Sequence, residues 1–382
     1  MKLFLIKMEN FDFGDTRNIM LCAVLAVTAV SFLIQLYYYL FVFRKVGLKR
    51  RRNFPRQSRE PVSVIICIKD ESANLSKILP LVLEQIYPEY EVIAVNDNSS
   101  DNSGEILQLA QTRYPHLQIR NLIANSSVHG RSVVLGVGIK AAKYDRLAII
   151  DVACRPSANW LKSLASGFDS DIVISYTRYT GANRFVRAAN FCESLFRLGY
   201  ALNRKPYTAS GENESFVKKL FFEKGFNPLL RKLERVEPVF FNSIMNKKNT
   251  AVILSPEAVV ESERSLSFRD WCMECSGDLF SRRLFRKGTR HVRLPEIISK
   301  ALFYPGSVAA IILTANTVWM WIPVAGTVLL HLTVRIFVFR SAQKILGERK
   351  LLFHAVLRDF YCIVEYLYIL MLVKHRKTIR RQ

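Results

Sequence analysis

The chain has 382 residues, with 55 Lys+Arg against 32 Asp+Glu and a formal charge of +23 at pH 7. Half of it is hydrophobic and 12% is aromatic, which excludes a wholly disordered chain, because such chains are poor in aliphatic and aromatic residues. An apolar half combined with this positive charge leaves two classes, a nucleic-acid binder or a membrane protein with basic flanks.

In chain order, Ile19 to Phe43 holds no charged residue. About 20 apolar residues suffice for a helix to span a bilayer, and the run is too long for a signal-peptide core. Glu9, Asp12 and Asp15 precede it, whereas Arg44, Lys45, Lys49, Arg50, Arg51, Arg52, Arg56 and Arg59 follow. The positive-inside rule places residues 1–18 outside, a span at 19–43 and a basic linker at 44–60 in the cytoplasm. Beside a membrane span, Lys49 to Arg52 reads as a lipid-facing flank, and no nucleic-acid partner is expected.

The next 240 or so residues, 61–304, read as a cytoplasmic domain of alternating strands and helices. Val62 to Ile68 (VSVIICI) is a continuous β-branched run, as in a strand buried on both faces. Ser72 to Gln85 has helical spacing in Leu75, Ile78, Leu79 and Val82, with Pro80 as a kink point. Strands follow at Glu91 to Val95, Leu117 to Ile119 and Leu147 to Ile150, with helices at Asp101 to Tyr114, Arg131 to Ala142 and Trp160 to Phe168. This order predicts an α/β fold with a mainly parallel, Rossmann-like sheet covered by helices. Ligands of such sheets bind beyond the carboxyl ends of the strands. There the first strand runs into Asp70 and Glu71, the second into Asp97 and the fourth into Asp151. The alternative for each aspartate is a cap on the following helix. No GxGxxG follows the first strand and no GxxxxGK[ST] occurs, which argues against dinucleotide and P-loop enzymes.

Beyond this domain, Val308 to Phe339 carries only Arg335 as a charge, with Pro323 and Gly326 near its middle. A transmembrane hairpin over 307–340, broken at those two residues, fits better than one very long helix. Residues 351–374 contain Arg358, Asp359 and Glu365 among apolar residues, so they form a third span or an interfacial helix, ahead of a basic tail at 375–382. The seven cysteines are scattered, too sparse for a disulfide framework, and suit a reducing compartment. Cys272 and Cys275 are a lone CxxC without a second ligand pair, so zinc is not expected. Trp271, Phe280, Leu284 and Phe285 among Arg282, Arg283, Arg286 and Lys287 read as an amphipathic segment on an anionic membrane surface.

PVSVIICIKDESANL followed by QIYPEYEVIAVNDNSSDNS resembles the opening of family 2 glycosyltransferases, which are inverting enzymes of the nucleotide-diphospho-sugar transferase fold. The likeness continues through HGRSVVLGVGIKAA, AIIDVACRPSANWL and SGENESFVKKLFFEKGF to SPEAVV, about Pro61 to Val260, and the flanking spans resemble membrane-bound members. It implies that Ile68, Lys69 and Glu71 contact the donor nucleotide and that Asp97 reads its base. Arg131 would pair with the phosphates, Asp151 is the first acid of an Asp-x-Asp motif, and Gly211 and Asn213 lie on the acceptor side. The motif here reads Asp151-Val152-Ala153, so a divalent cation (Mg²⁺ or Mn²⁺) would have Asp151 without its second acid. Glu237 falls at the position of the base that deprotonates the acceptor hydroxyl, with Glu234 as the other candidate. The family's Gln-x-x-Arg stretch reads Phe268 to Gly277 here; Trp271 is present, but the Gln and Arg are not.

The expected function is a multi-pass inner-membrane glycosyltransferase that passes a sugar from a nucleotide-diphospho-sugar donor to a lipid-linked or glycan acceptor, in cell-surface polysaccharide or glycolipid synthesis. The alternative is a catalytically inactive relative that binds a partner or membrane lipids.

Overall fold

The computed structural model describes residues 16–49, 58–122, 131–224, 233, 235–314 and 321–379. The expectations for residues 1–15, Arg50 to Arg56, the His129-Gly130 step, Glu234 and 380–382 lie outside them. The chain starts with helix α1 (Thr16–Tyr37), a π-helical stretch (Tyr38–Phe43) and α2 (Arg44–Leu48). The α/β domain follows with β1 (Val62–Ile68), α3 (Ser72–Leu83), β2 (Tyr90–Asn96), α4 (Ser103–Arg113), β3 (Leu117–Asn121), α5 (Arg131–Ala141) and β4 (Arg146–Ile150). It continues with β5 (Cys154–Arg155), α6 (Trp160–Ala165), β6 (Ile172–Ile174), β7 (Thr177–Tyr179), α7 (Arg184–Leu202), β8 (Asn213–Val217) and α8 (Lys219–Lys224). Last come α9 (Glu237–Ile244), β9 (Thr250–Val252), β10 (Val260–Ser262), α10 (Phe268–Ser281), α11 (Leu294–Leu313), α12 (Trp321–Leu346) and α13 (Leu352–Ile379).

The central sheet has the order β3-β2-β1-β4-β8-β6-β9. β1 pairs in parallel with β2 and β4, β2 with β3, and β6 with β9; β8 runs antiparallel to both β4 and β6. The mainly parallel α/β sheet is therefore as expected. Every residue of β1 is buried, because helices cover both faces and only an apolar, β-branched run tolerates that. Leu75, Ile78, Leu79 and Val82 form the buried face of α3 at helical spacing, and Pro80 sits on the exposed side of a helix that continues through it. Two pairings set up the site. Ile68 lies level with Asn96, so Lys69 and Asp97 leave the sheet side by side. Ile150 lies opposite Asn213, which carries Gly211 and Glu212 back alongside Asp151.

Among the described residues, three helical stretches are long and apolar enough to cross a membrane: Thr16–Leu48, Leu294–Leu313 and Trp321–Leu346. α1 and α11 run antiparallel, since Arg17 donates to the Leu313 carbonyl at one end and Phe32 stacks on Phe303 further along. A side chain at Gly306 would strike Thr28, so glycine permits this close approach. The hairpin differs from expectation. Its first helix starts at Leu294, well before residue 307, and α12 runs unbroken through Pro323 and Gly326. Pro323 is the third described residue of α12.

The charges of α13 are buried. Arg358 donates to Glu365 at 3.0 Å, and Asp359 lies 2.6 Å from Arg335 Nη1 and 2.9 Å from Lys300 Nζ. α13 thus packs its charged face onto α11, α12, α10 and α7. Trp271 also differs from expectation: it is buried, set edge-on to Tyr179, and donates from Nε1 to Glu365 at 3.1 Å. The aromatic face of α10 is directed at α13, with its indole N–H satisfied there. Phe285 is buried as well, and of that apolar set Leu284 is exposed.

Candidate active site

At the carboxyl end of β1, Ile68 is buried and accepts from the Asp97 N–H at 2.8 Å. Asp97 is itself 7% exposed. Its Oδ2 lies 3.4 Å from Lys69 Nζ, and its Oδ1 is buried without a hydrogen-bond partner among the described residues. A buried carboxylate oxygen left open is costly unless something donates to it. Glu71 precedes α3 and accepts from Asn74 at 2.7 Å. Asp70 adopts a left-handed backbone (φ 50°), and its Oδ1 accepts from the Ser100 N–H and hydroxyl at 2.7 and 2.9 Å. Asp70 therefore ties two loops together and does not cap α3.

Arg131, the first residue of α5, connects the other predicted groups. Its Nε donates to Glu237 Oε1, and its Nη2 lies 3.4 Å from Asp151 Oδ2. Glu237 is 1% exposed, and its second oxygen accepts from the Val236 N–H at 3.0 Å. Gly211 holds a φ of 83°, and a Cβ there would lie 2.5 Å from both Cβ and Cγ of Glu237. Glycine is thus required twice over, by conformation and by space. Burial opposes the charge of Asp151, but Arg131, then Arg264, the Ala153 N–H and Arg235 outweigh it and hold its pKa below the usual carboxylate range. Burial pushes the neighbouring Cys67 thiol up to about 12, so it stays protonated.

Of the predicted site residues, the structure brings Asp97, Arg131, Asp151, Gly211 and Glu237 to one end of the sheet, with Ile68 and Glu71 on its rim. It does not bring Asn213 there. Asn213 is fully buried; its Oδ1 accepts from Trp160 Nε1 at 2.9 Å, and its Nδ2 donates to the carbonyls of Tyr176 and Ala258 at 3.1 and 2.8 Å. It stitches β8 to its neighbours instead of facing an acceptor.

Five residues beside the crevice went unassigned in the sequence. Glu212, Arg235, Arg264, Glu274 and Asp278 line one cavity with Arg131 and Asp151. Arg235 Nη1 lies 3.6 Å from Glu274 and 3.8 Å from Asp278, Nη2 lies 4.0 Å from Glu212, and Nη2 donates to the Ser210 carbonyl at 2.7 Å. Arg264 contacts Glu274 and lies 3.7 Å from Glu212. Glu274 and Asp278, four apart on α10, carried a signal in their spacing; Arg264 had none, since only the fold returns it to the crevice.

A divalent cation does not fit these residues. Ala153 stands where the second acid would be, and its N–H donates to Asp151 Oδ1 at 3.0 Å. Cys154 is fully buried, and that burial pushes its thiol well above its ordinary pKa, leaving a poor ligand for a hard cation. Among the described residues no group of three or more His, Cys, Asp or Glu is placed to hold a metal ion, Cys272 and Cys275 included.

The family model described as "Glycosyl transferase family 2" matches residues 63–234. Residues 63–234 are thus similar to a family 2 glycosyltransferase domain. A 127-residue stretch is 33% identical to "Glycosyltransferase AglE" of Haloferax volcanii, covering 32% of this chain and 41% of that protein. Another, of 118 residues, is 30% identical to "Poly-beta-1,6-N-acetyl-D-glucosamine synthase" of Staphylococcus epidermidis, covering 30% of this chain and 27% of that one. The chain thus spans less than half the length of these relatives. The mannosyltransferase PcManGT of Pyrobaculum calidifontis, solved with GDP-Man and Mn²⁺, superposes with a TM-score of 0.58 over 89% of this chain and 99% of its own, at 17% identity. That likeness shows the fold alone. Asp97, Arg131, Asp151 and Gly211 all lie within the matched stretch, and Glu237 lies just beyond it.

Proposed function

We propose that the chain is a membrane-bound inverting glycosyltransferase that uses a nucleotide-diphospho-sugar donor. The observation that carries this reading is the convergence of Asp97, Arg131, Asp151 and Glu237 at the carboxyl ends of β1, β2 and β4. The open oxygen of Asp97 suits an imide N–H or ribose hydroxyl of a nucleotide. Arg131 suits the phosphates, and Asp151 an edge of the sugar or ribose. In the transfer step the acceptor oxygen attacks the anomeric carbon from the face opposite the diphosphate. The bond from that carbon to the diphosphate oxygen breaks, and the diphosphate leaves with the electron pair. The hydroxyl proton goes to Glu237, once the donor phosphates draw Arg131 away from it.

The crevice continues past Glu212 and Arg235 into a cavity lined by Trp271, Arg293, Lys300 and Glu365, which reaches α11 and α13. That continuity supports a lipid-linked or growing-glycan acceptor entering from the membrane side. Arg44, Lys45, Arg293, Arg340 and Lys344 cluster at the ends of the apolar helices from which the α/β domain extends. Their charge supports a cytoplasmic domain on an inner membrane.

The second reading is a non-catalytic relative that binds a partner or lipid. It is favoured by Glu237 being buried with both carboxylate oxygens engaged. Nucleotide-sugar turnover by the purified full chain, compared with Asp97→Ala and Glu237→Gln, separates the two. Turnover lost in both variants supports the enzyme; no turnover by the wild-type chain with any donor supports the binder.

A further inference from the structure

We propose that the guanidiniums of Arg131, Arg235 and Arg264, in place of a divalent cation, carry the donor diphosphate; this rests on the donor reading above. Ala153 removes the carboxylate through which a cation would be held, and its N–H is already bound to Asp151. The crevice nevertheless has to neutralise a diphosphate as it leaves, since developing charge is stabilised by groups already aimed at it.

The cations that face this place come from three separate elements: the start of α5, the segment before α9 and the segment after β10. All three line one cavity with Asp151. Their side chains are 26%, 24% and 28% exposed, so each is anchored yet reachable from solvent. The ion pairs of Arg235 at 3.6, 3.8 and 4.0 Å are all longer than a hydrogen bond, as is the 3.7 Å contact of Arg264 to Glu212. An arginine fork donates two parallel N–H bonds to a phosphate, a stronger arrangement than the loose contacts of Arg235; Arg264 and Arg131 would each give up a close hydrogen bond, to Glu274 and Glu237, in the exchange.

Carboxylates outnumber arginines here, so diphosphate binding is an exchange. Glu274 and Asp278 stand a turn apart on α10 against Arg235, with side chains 22% and 31% exposed. Glu274 Oε2 and Asp278 Oδ1 are buried and make no hydrogen bond among the described residues. Phosphate oxygens would take the guanidinium donors, and these two carboxylates would turn toward solvent.

The test is thermal unfolding of the full chain in detergent with UDP, GDP, CDP, ADP and dTDP, the matching monophosphates and inorganic pyrophosphate, each in EDTA and in Mn²⁺. One diphosphate should raise the midpoint by roughly 5 °C at saturating concentration in EDTA. Its monophosphate should give less than half that shift, and Mn²⁺ should add little. Arg235→Ala and Arg264→Ala should abolish the shift, and Arg235→Lys should keep part of it while its unliganded midpoint stays near wild type. A shift that appears only with Mn²⁺ overturns the arginine clamp and leaves the donor reading standing. A shift unchanged in both alanine variants also overturns the clamp. No shift with any nucleotide, with or without metal, overturns the donor reading and the clamp together.

Discussion

Arg131 donates through Nε to Glu237 and stands 3.4 Å, through Nη2, from Asp151. One guanidinium thus bridges a carboxylate proposed as the base and one proposed to face the donor. The three residues come from the start of α5, the end of β4 and the start of α9, and only the sheet topology brings them together.

Removing the bridge should expose its coupling. Glu237 is nearly inaccessible, so Arg131→Ala leaves a buried charge unpaired, and the loss should be about 2–4 kcal/mol, reduced from the fully buried case because Arg131 is partly exposed. Glu237→Gln in the Arg131→Ala background should recover at least about 1 kcal/mol in a double-mutant cycle. Additive losses would show that the pair is not coupled.

Acid titration should report on Asp151. Its folded pKa lies below the unfolded value of about 3.9, so its stabilisation is present above pH 4 and is lost as the pH falls through the folded pKa. Asp151→Asn should lower stability at pH 7 by about 1–3 kcal/mol and flatten the decline below pH 4. An unchanged acid limb in melting midpoints from pH 3 to 7 would show that Asp151 is not held ionised by its arginines.

Gly211→Ala should act on Glu237. The added methyl meets the Glu237 side chain at 2.5 Å in a left-handed backbone conformation. The expected cost is about 1–3 kcal/mol of stability. Because misplacing a reacting group by about 1 Å can cost on the order of 100-fold, turnover should fall by more than tenfold. Wild-type kcat in this variant would mean that the Gly211–Glu237 packing does not position the base.

Asn213→Ala should separate a structural role from an acceptor role. It strands Trp160 Nε1, at about 1–3 kcal/mol for a buried group left unpaired, and removes one of the two donors to each of the carbonyls of Tyr176 and Ala258, which keep the Val260 N–H and the Ser175 hydroxyl. Stability should drop sharply while the acceptor KM of the folded fraction stays near wild type. A raised acceptor KM at unchanged stability would restore the acceptor role.

What the sequence disclosed followed from local physics. VSVIICI could only be a strand covered on both faces, and the carboxylates after β1, β2 and β4 had to share an edge in a parallel sheet. The antiparallel insertion of β8 leaves no local trace in the sequence, and it is this insertion that makes Glu212 a neighbour of Asp151; Arg264 joins them in the same cavity. Pro323 reads as a hairpin break because proline usually interrupts a helix, whereas α12 runs through it. Trp271 reads as membrane-facing from its neighbours alone, because its partner, Glu365, lies in a distant helix. Asn213 carried the family's motif position but not its exposure.

The most direct test of the account is release of nucleoside diphosphate from a panel of nucleotide-sugars by the purified full chain in detergent, with the wild type beside Asp97→Ala and Glu237→Gln. The account predicts release from at least one donor, falling at least 100-fold in Glu237→Gln with the donor KM little changed, and a raised donor KM in Asp97→Ala. Release that is equal in all three proteins, or absent from the wild type with every donor, would contradict it.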